Sequence, residues 1–199
     1  MSQHPTIALL PDAARIVTAM ANGVLPEQRD NPSPCEEWTV RDVLNHLVGE
    51  HLWAPQLLAG ATVEEVGDRF DGDLVGADPA GAWRRASSAS MIAWAQADPQ
   101  ARVHSSMGLL PVEEYAHQML LDLTVHGWDI AKGAGIPFTP IPPAVEDALN
   151  YATPRITYYS GTTMFAAPVP YEGDHPIEAL AALLGRDPFW RPEHEVAPH

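Results

Sequence analysis

Nine histidines, 26 acidic residues and a single cysteine, Cys35, make up the reactive side chains of most interest in this 199-residue chain. An imidazole and a carboxylate one helical turn apart can share a proton or a cation. Two segments have that spacing: LLDLTVHGWDIAKGAG carries Asp122 and His126, and RDVLNHLVGEHLW carries His46 and Glu50.

At roughly 100° per residue, His126 falls about 20° and Asp122 about 60° from Met119, on the arc that also holds Val112, Tyr115, Leu123 and Ile130. In the earlier segment Glu50 falls about 20° and His46 about 60° from Val43, on the arc of Leu47, Ala54 and Leu57. Two helices therefore each send a histidine and a carboxylate towards a core. A carboxylate there needs compensation. A metal held by His46, Asp122 and His126 supplies it, and this ligand set leaves positions open for water or substrate, as in catalytic zinc, nickel or iron(II) sites. A hydrogen-bonded His–Asp pair inside a bundle supplies it too, without a metal. Glu50 reads as a fourth ligand, a catalytic general base, or an acid facing the mouth of a cleft.

Helical spacing dominates the rest of the chain, and strand-like alternation is nearly absent. The pattern predicts helices over about Thr6–Ala21 and Val40–Leu58, from Pro79 to just before Asp98, and from after Pro111 to about Lys132. Thr39 and Asp42 form a capping box for the second, with Trp38 and Val43 at the positions of a hydrophobic staple. The stretch from Ala61 to Ala77 reads as a polar loop. Beyond Gly135 prolines punctuate the chain, a fifth helix is expected over about Ala144–Tyr159, a short one over about Pro176–Leu184, and the tail RPEHEVAPH frays. The expected fold is all-α, with residues 1–135 a metal-binding four-helix bundle and 136–199 a short proline-rich helical extension packed on it as part of one domain.

Composition narrows the partners. A formal charge of −15 repels phosphate backbones and anionic lipid, so neither nucleic acid nor a membrane is expected. No basic, then apolar leader opens the chain and no apolar run is long enough to span a bilayer, so the expectation is a cytoplasmic protein. A small-molecule substrate is the expected partner, with a homodimer as one option.

Other residues receive plainer readings. Cys35 can form no internal disulfide and reads as a small, half-buried hydrophobe. His51 borders the apolar arc and is expected in solvent. His117 points away from His126 and is expected outside. His104, in the segment before the fourth helix, could fold back to the site. Trp53 reads as bundle core or a cleft wall. Trp128 points away from the core face, so the extension is expected to cover it. Arg155 and Arg186 either clamp a substrate carboxylate or pair with acids. Gly133 and Gly135 read as helix-stop residues.

PCEEWTVRDVLNHLVGEHLW, LLDLTVHGWDIAKGAG, MFAAPVP and ALAALLGRDPFW together resemble the actinobacterial metal-binding branch of the DinB-like superfamily, related to the mycothiol-dependent maleylpyruvate isomerases. The resemblance runs from about Ala8 to Trp190. It implies an up-down-down-up bundle and a divalent metal on His46, Asp122 and His126. The isomerase pattern has Glu where this chain has Asp122, one methylene shorter, and the isomerases carry a larger C-terminal domain. The activity implied is a metal-dependent transferase or isomerase that joins a low-molecular-weight thiol such as mycothiol to a small electrophile, with Glu50 moving a proton. The alternatives are a non-catalytic metal- or small-ligand-binding module and a metal-assisted hydrolase.

Overall fold

Caps and prolines set the helix boundaries. In the computed structural model, which describes residues 4–159 and 166–192, α1 spans Pro5–Gly23, α2 Val40–Leu58, α3 Val63–Val66 and α4 Pro79–Gln96. A hairpin of β1 (Arg102–Ser105) and β2 (Gly108–Pro111) leads into α5, Val112–Ala134. Helices α6 (Pro142–Ala152), α7 (Ile156–Tyr159) and α8 (Pro176–Leu183) follow. Thr39 Oγ1 accepts the Asp42 amide at 3.2 Å, and the Asp42 carboxylate accepts the Thr39 amide at 2.9 Å, which starts α2 in a defined phase. Asp78 caps α4 ahead of Pro79, and Gly135, at φ 63°, closes α5.

Helices α1, α2, α4 and α5 form the four-helix bundle. Helix α2 packs on α4 and α5, and α1 packs on the same two. Leu10, Leu44, Leu47, Trp83, Leu120, Leu123 and Ile130 are wholly buried between them. The opposite face of α5 buries Leu121, Val125 and Trp128 against Val145 and Ala148 of α6 and against Leu180 and Leu184. The extension thus covers Trp128, and α5 is enclosed on both sides.

Several details differ from the sequence-based expectation. The hairpin β1–β2 was not visible in the alternation, because four residues per strand leave too short a pattern to read. The Ala61–Ala77 loop holds the one-turn α3. The fifth helix stops at Ala152 rather than Tyr159, since Pro154 has no amide hydrogen with which to continue the helical ladder, and the chain re-enters helix as α7. Gly133 lies inside α5: a Cβ there would meet Val40 Cγ2 at 2.6 Å and the Pro32 carbonyl at 2.8 Å, so it permits close approach of the loop before α2. In the C-terminal tail, 193–199 lie outside the described residues.

His51 is not solvated, and His117 is only partly exposed. His117 packs under α6, 2.7 Å from Asp147 and stacked on Tyr151. His51 is completely buried, edge-on to Trp83 at 4.8 Å, with neither ring nitrogen hydrogen-bonded among the described residues. Burial lowers its pKa to about 4, while the charges of Asp122 and His46 act in opposite senses. Below pH 6.5 the unfolded chain therefore takes up a proton that the folded chain refuses until about pH 4, and stability falls across that window. Replacing His51 by Leu should remove about 2 kcal/mol of the stability lost between pH 7 and pH 5. Urea unfolding at both pH values checks this; equal losses in the two proteins would refute it.

Candidate metal centre

Helices α2 and α5 bring His46 and the Asp122–His126 pair face to face. His46 Nε2 lies 3.0 Å from Asp122 Oδ2, and His126 Nε2 lies 3.2 Å from Asp122 Oδ1. One donor atom from each of the three lies within 4.8 Å of the others. Donors around a tetrahedral cation at bond lengths near 2.1 Å are about 3.4 Å apart, so the observed spacing suits a divalent ion. Glu50 is half-buried near this group but outside it.

The imidazoles are held from behind. His126 Nδ1 lies 2.9 Å from the completely buried carboxylate of Asp129, which leaves Nε2 to face the centre. Arg186 donates to the same Asp129 oxygen at 3.2 Å, to the Leu184 carbonyl at 3.0 Å, and to Cys35 Sγ at 3.4 Å. Trp38 stacks on His126 with ring centres 5.7 Å apart and lies 5.0 Å from the His46 ring.

The family described as "Mycothiol maleylpyruvate isomerase N-terminal domain" matches residues 10–131, from α1 to the last turn of α5. The chain belongs to this family. Two uncharacterized proteins of Mycobacterium tuberculosis strains are each 29% identical over 175 residues, covering 84% of this chain and 90% of the relative. The crystal structure of a histidine-to-alanine mutant of the mycothiol-dependent maleylpyruvate isomerase superposes with a TM-score of 0.69 at 14% identity. That match spans 94% of this chain and 93% of the isomerase, which leaves little of the neighbour without a counterpart. At this identity the likeness speaks to fold, and the fold is the DinB-like bundle.

The charges of these side chains act strongly on one another. Burial raises the Asp122 pKa, but His46 and His126 outweigh it and hold the carboxyl well below the usual range. Burial lowers His126, yet the Asp122 charge and hydrogen bond, followed by Asp129, lift it to about 9. Burial and the Asp122 charge both raise Glu50. A cation at this position would take the place of the His126 proton, so its uptake would release protons.

Asp129 was missed in the sequence, although its spacing from His126, one turn on, was a readable signal. Arg186 proves to be a buried partner of an acid rather than a substrate clamp. Arg155 is likewise paired, 3.1 Å from Glu114 and stacked 4.0 Å over Tyr151. Cys35 is half-buried, and burial pushes its thiol up to about 11. Its sulfur, His126 and Asp129 form a second close donor group, but the Arg186 guanidinium among them repels a cation. His104 is exposed on β1 and is neither in the donor group nor among the residues lining the cavity beside it, and Trp53 packs on Phe70.

The contact chain Arg186–Asp129–His126 predicts that Asp129→Asn and Arg186→Met each weaken zinc binding by roughly 10- to 100-fold. Competition with a chelating dye measures this. Arg155→Met, outside that chain, serves as the control and should stay within about twofold.

Proposed function

We propose that the chain is a metal-dependent enzyme of low-molecular-weight thiol chemistry, an S-transferase or isomerase acting on a small electrophile, with mycothiol the thiol indicated by its family. His46, Asp122 and His126 would hold the metal, zinc most readily and nickel or iron(II) as alternatives. One observation carries this reading: three donors meet beside a cavity, and the second nitrogen of one is tied to a buried carboxylate.

A divalent cation bound there would acidify a thiol or water placed beside it. The side chains around it have separate tasks. Asp129 orients His126. Trp38 packs against both imidazole rings and limits their rotation. Glu50 is the remaining carboxyl lining the cavity with Asp122, and its raised affinity for protons suits it to accept and return one. The apolar walls keep water away from the reacting group.

Metal analysis and a thiol-consumption assay test the proposal. The isolated protein should carry one divalent ion per chain, and His126→Ala should lose it. Consumption of mycothiol with a small electrophile should require the metal. Glu50→Gln should keep the metal and lower kcat by roughly 10²- to 10⁴-fold. Unchanged metal uptake in His126→Ala would overturn the site. Turnover without added thiol would make the protein a hydrolase, and metal-dependent stability without turnover would make it a binding module.

A further inference from the structure

Two spaces share His46 and Glu50 as lining. One is the cavity beside the three donors, walled by Met119, Leu121, Val125 and Leu184, which measures about 190 Å³. The other is a groove of about 440 Å³ between α2 and the 70–74 loop. Sites for drug-sized ligands measure roughly 300–1,000 Å³, so the cavity suits a small reactant and the groove has room for a larger one. The proposed reaction brings a thiol and an electrophile to one metal, and the cavity is too small for both. The loop side of the groove is fixed in advance. Asn45 donates to the Gly72 carbonyl at 2.9 Å and accepts the Leu74 and Val75 amides at 2.7 and 3.3 Å. Arg41 pairs with Asp73 at 2.8 Å and donates to the Gly76 carbonyl at 2.9 Å. Leu74 seats on Gly49, where a Cβ would meet its Cδ1 at 3.4 Å. A wall held in this way has little freedom left to lose when a ligand binds.

The lining of the groove fits one class of ligand. Trp53 and Phe70 stand edge to face with ring centres 6.1 Å apart, and both are partly exposed. The Asp71 carboxylate beside them is exposed and makes no side-chain hydrogen bond or ion pair among the described residues. The half-buried Glu50 carboxyl, where groove and cavity share lining, makes none either. Aromatic rings pack on the C–H faces of a sugar, and unpaired carboxyl oxygens accept its hydroxyl hydrogens. A cationic ligand is the other class such a lining could take, but Arg69 already lies over the Phe70 ring at 5.9 Å.

We infer that the groove between α2 and the 70–74 loop is the subsite for the polyhydroxylated, sugar-like body of the thiol, held by Trp53 and Asp71, with its sulfur end directed to His46 and Glu50. The word thiol rests on the proposed function; the affinity for a sugar-like body rests on the groove alone.

Isothermal titration of the protein as isolated tests this with S-methylmycothiol, S-methyl-N-acetylcysteine and choline. The two thioethers share the acylated cysteine and differ in the sugar-like body, and neither needs turnover to be read. The mycothiol derivative should bind at least tenfold more tightly than the acetylcysteine derivative. Trp53→Ala and Asp71→Ala should each weaken the mycothiol derivative about 5- to 10-fold and leave the acetylcysteine derivative within about twofold. Asp71 lies at the surface, so its replacement reads the groove even where Trp53→Ala lowers the urea midpoint. Equal affinity for the two thioethers, tighter binding of choline than of the mycothiol derivative, or a mycothiol affinity indifferent to Asp71→Ala and to a folded Trp53→Ala would overturn the inference. Groove-dependent binding without metal-dependent thiol consumption would defeat the proposed reaction and leave the subsite standing.

Discussion

Two carboxylates on the inner faces of α5 set the terms for the rest of this structure. Asp129 is completely buried and Asp122 is a quarter exposed, and a buried charge stripped of its partner costs roughly 3–5 kcal/mol. The compensating groups come from separate parts of the chain. Helix α2 contributes His46, α5 itself contributes His126, and the turn after α8 contributes Arg186. Meeting one electrostatic requirement thus ties the bundle to the C-terminal extension.

Helix α5 is where the two halves of that arrangement meet. Its first face completes the bundle, and its opposite face seats α6 and α8 through Leu121, Val125 and Trp128. Lys132 reinforces the seam, over the Trp128 ring at 5.1 Å and within reach of the Pro188 carbonyl. The proposed metal ligands therefore sit on packed helices rather than on loops, which favours a site held to narrow tolerances. The cavity opens along this seam, walled by bundle and extension residues together, with the hairpin tip Ser106–Met107 at its edge.

Residues that the sequence assigned to structure turn out to shape the site. Trp38 was legible as half of a hydrophobic staple, yet its ring lies against both imidazoles. The tight turn before it places Glu37 at φ 65°, a conformation that few non-glycine residues adopt, and aims the indole there. His51 and His117 were placed outside because face arithmetic considers one helix alone. Trp83 from α4 covers the first, and Asp147 and Tyr151 from α6 partly cover the second. The hairpin escaped because its strands are too short for alternation to register.

Periodicity and capping chemistry determined the helical fold, the phase of α2 and the inward direction of His46, Glu50, Asp122 and His126, because these depend on residues within a turn or two of one another. The quoted motifs indicated the family on the same local grounds. Only the tertiary structure decided that His46 faces Asp122, that Arg186 neutralises Asp129 from 57 residues away, and that Glu114 engages Arg155. Those are contacts between elements, set by how apolar faces pack against one another, and no single helix carries that information.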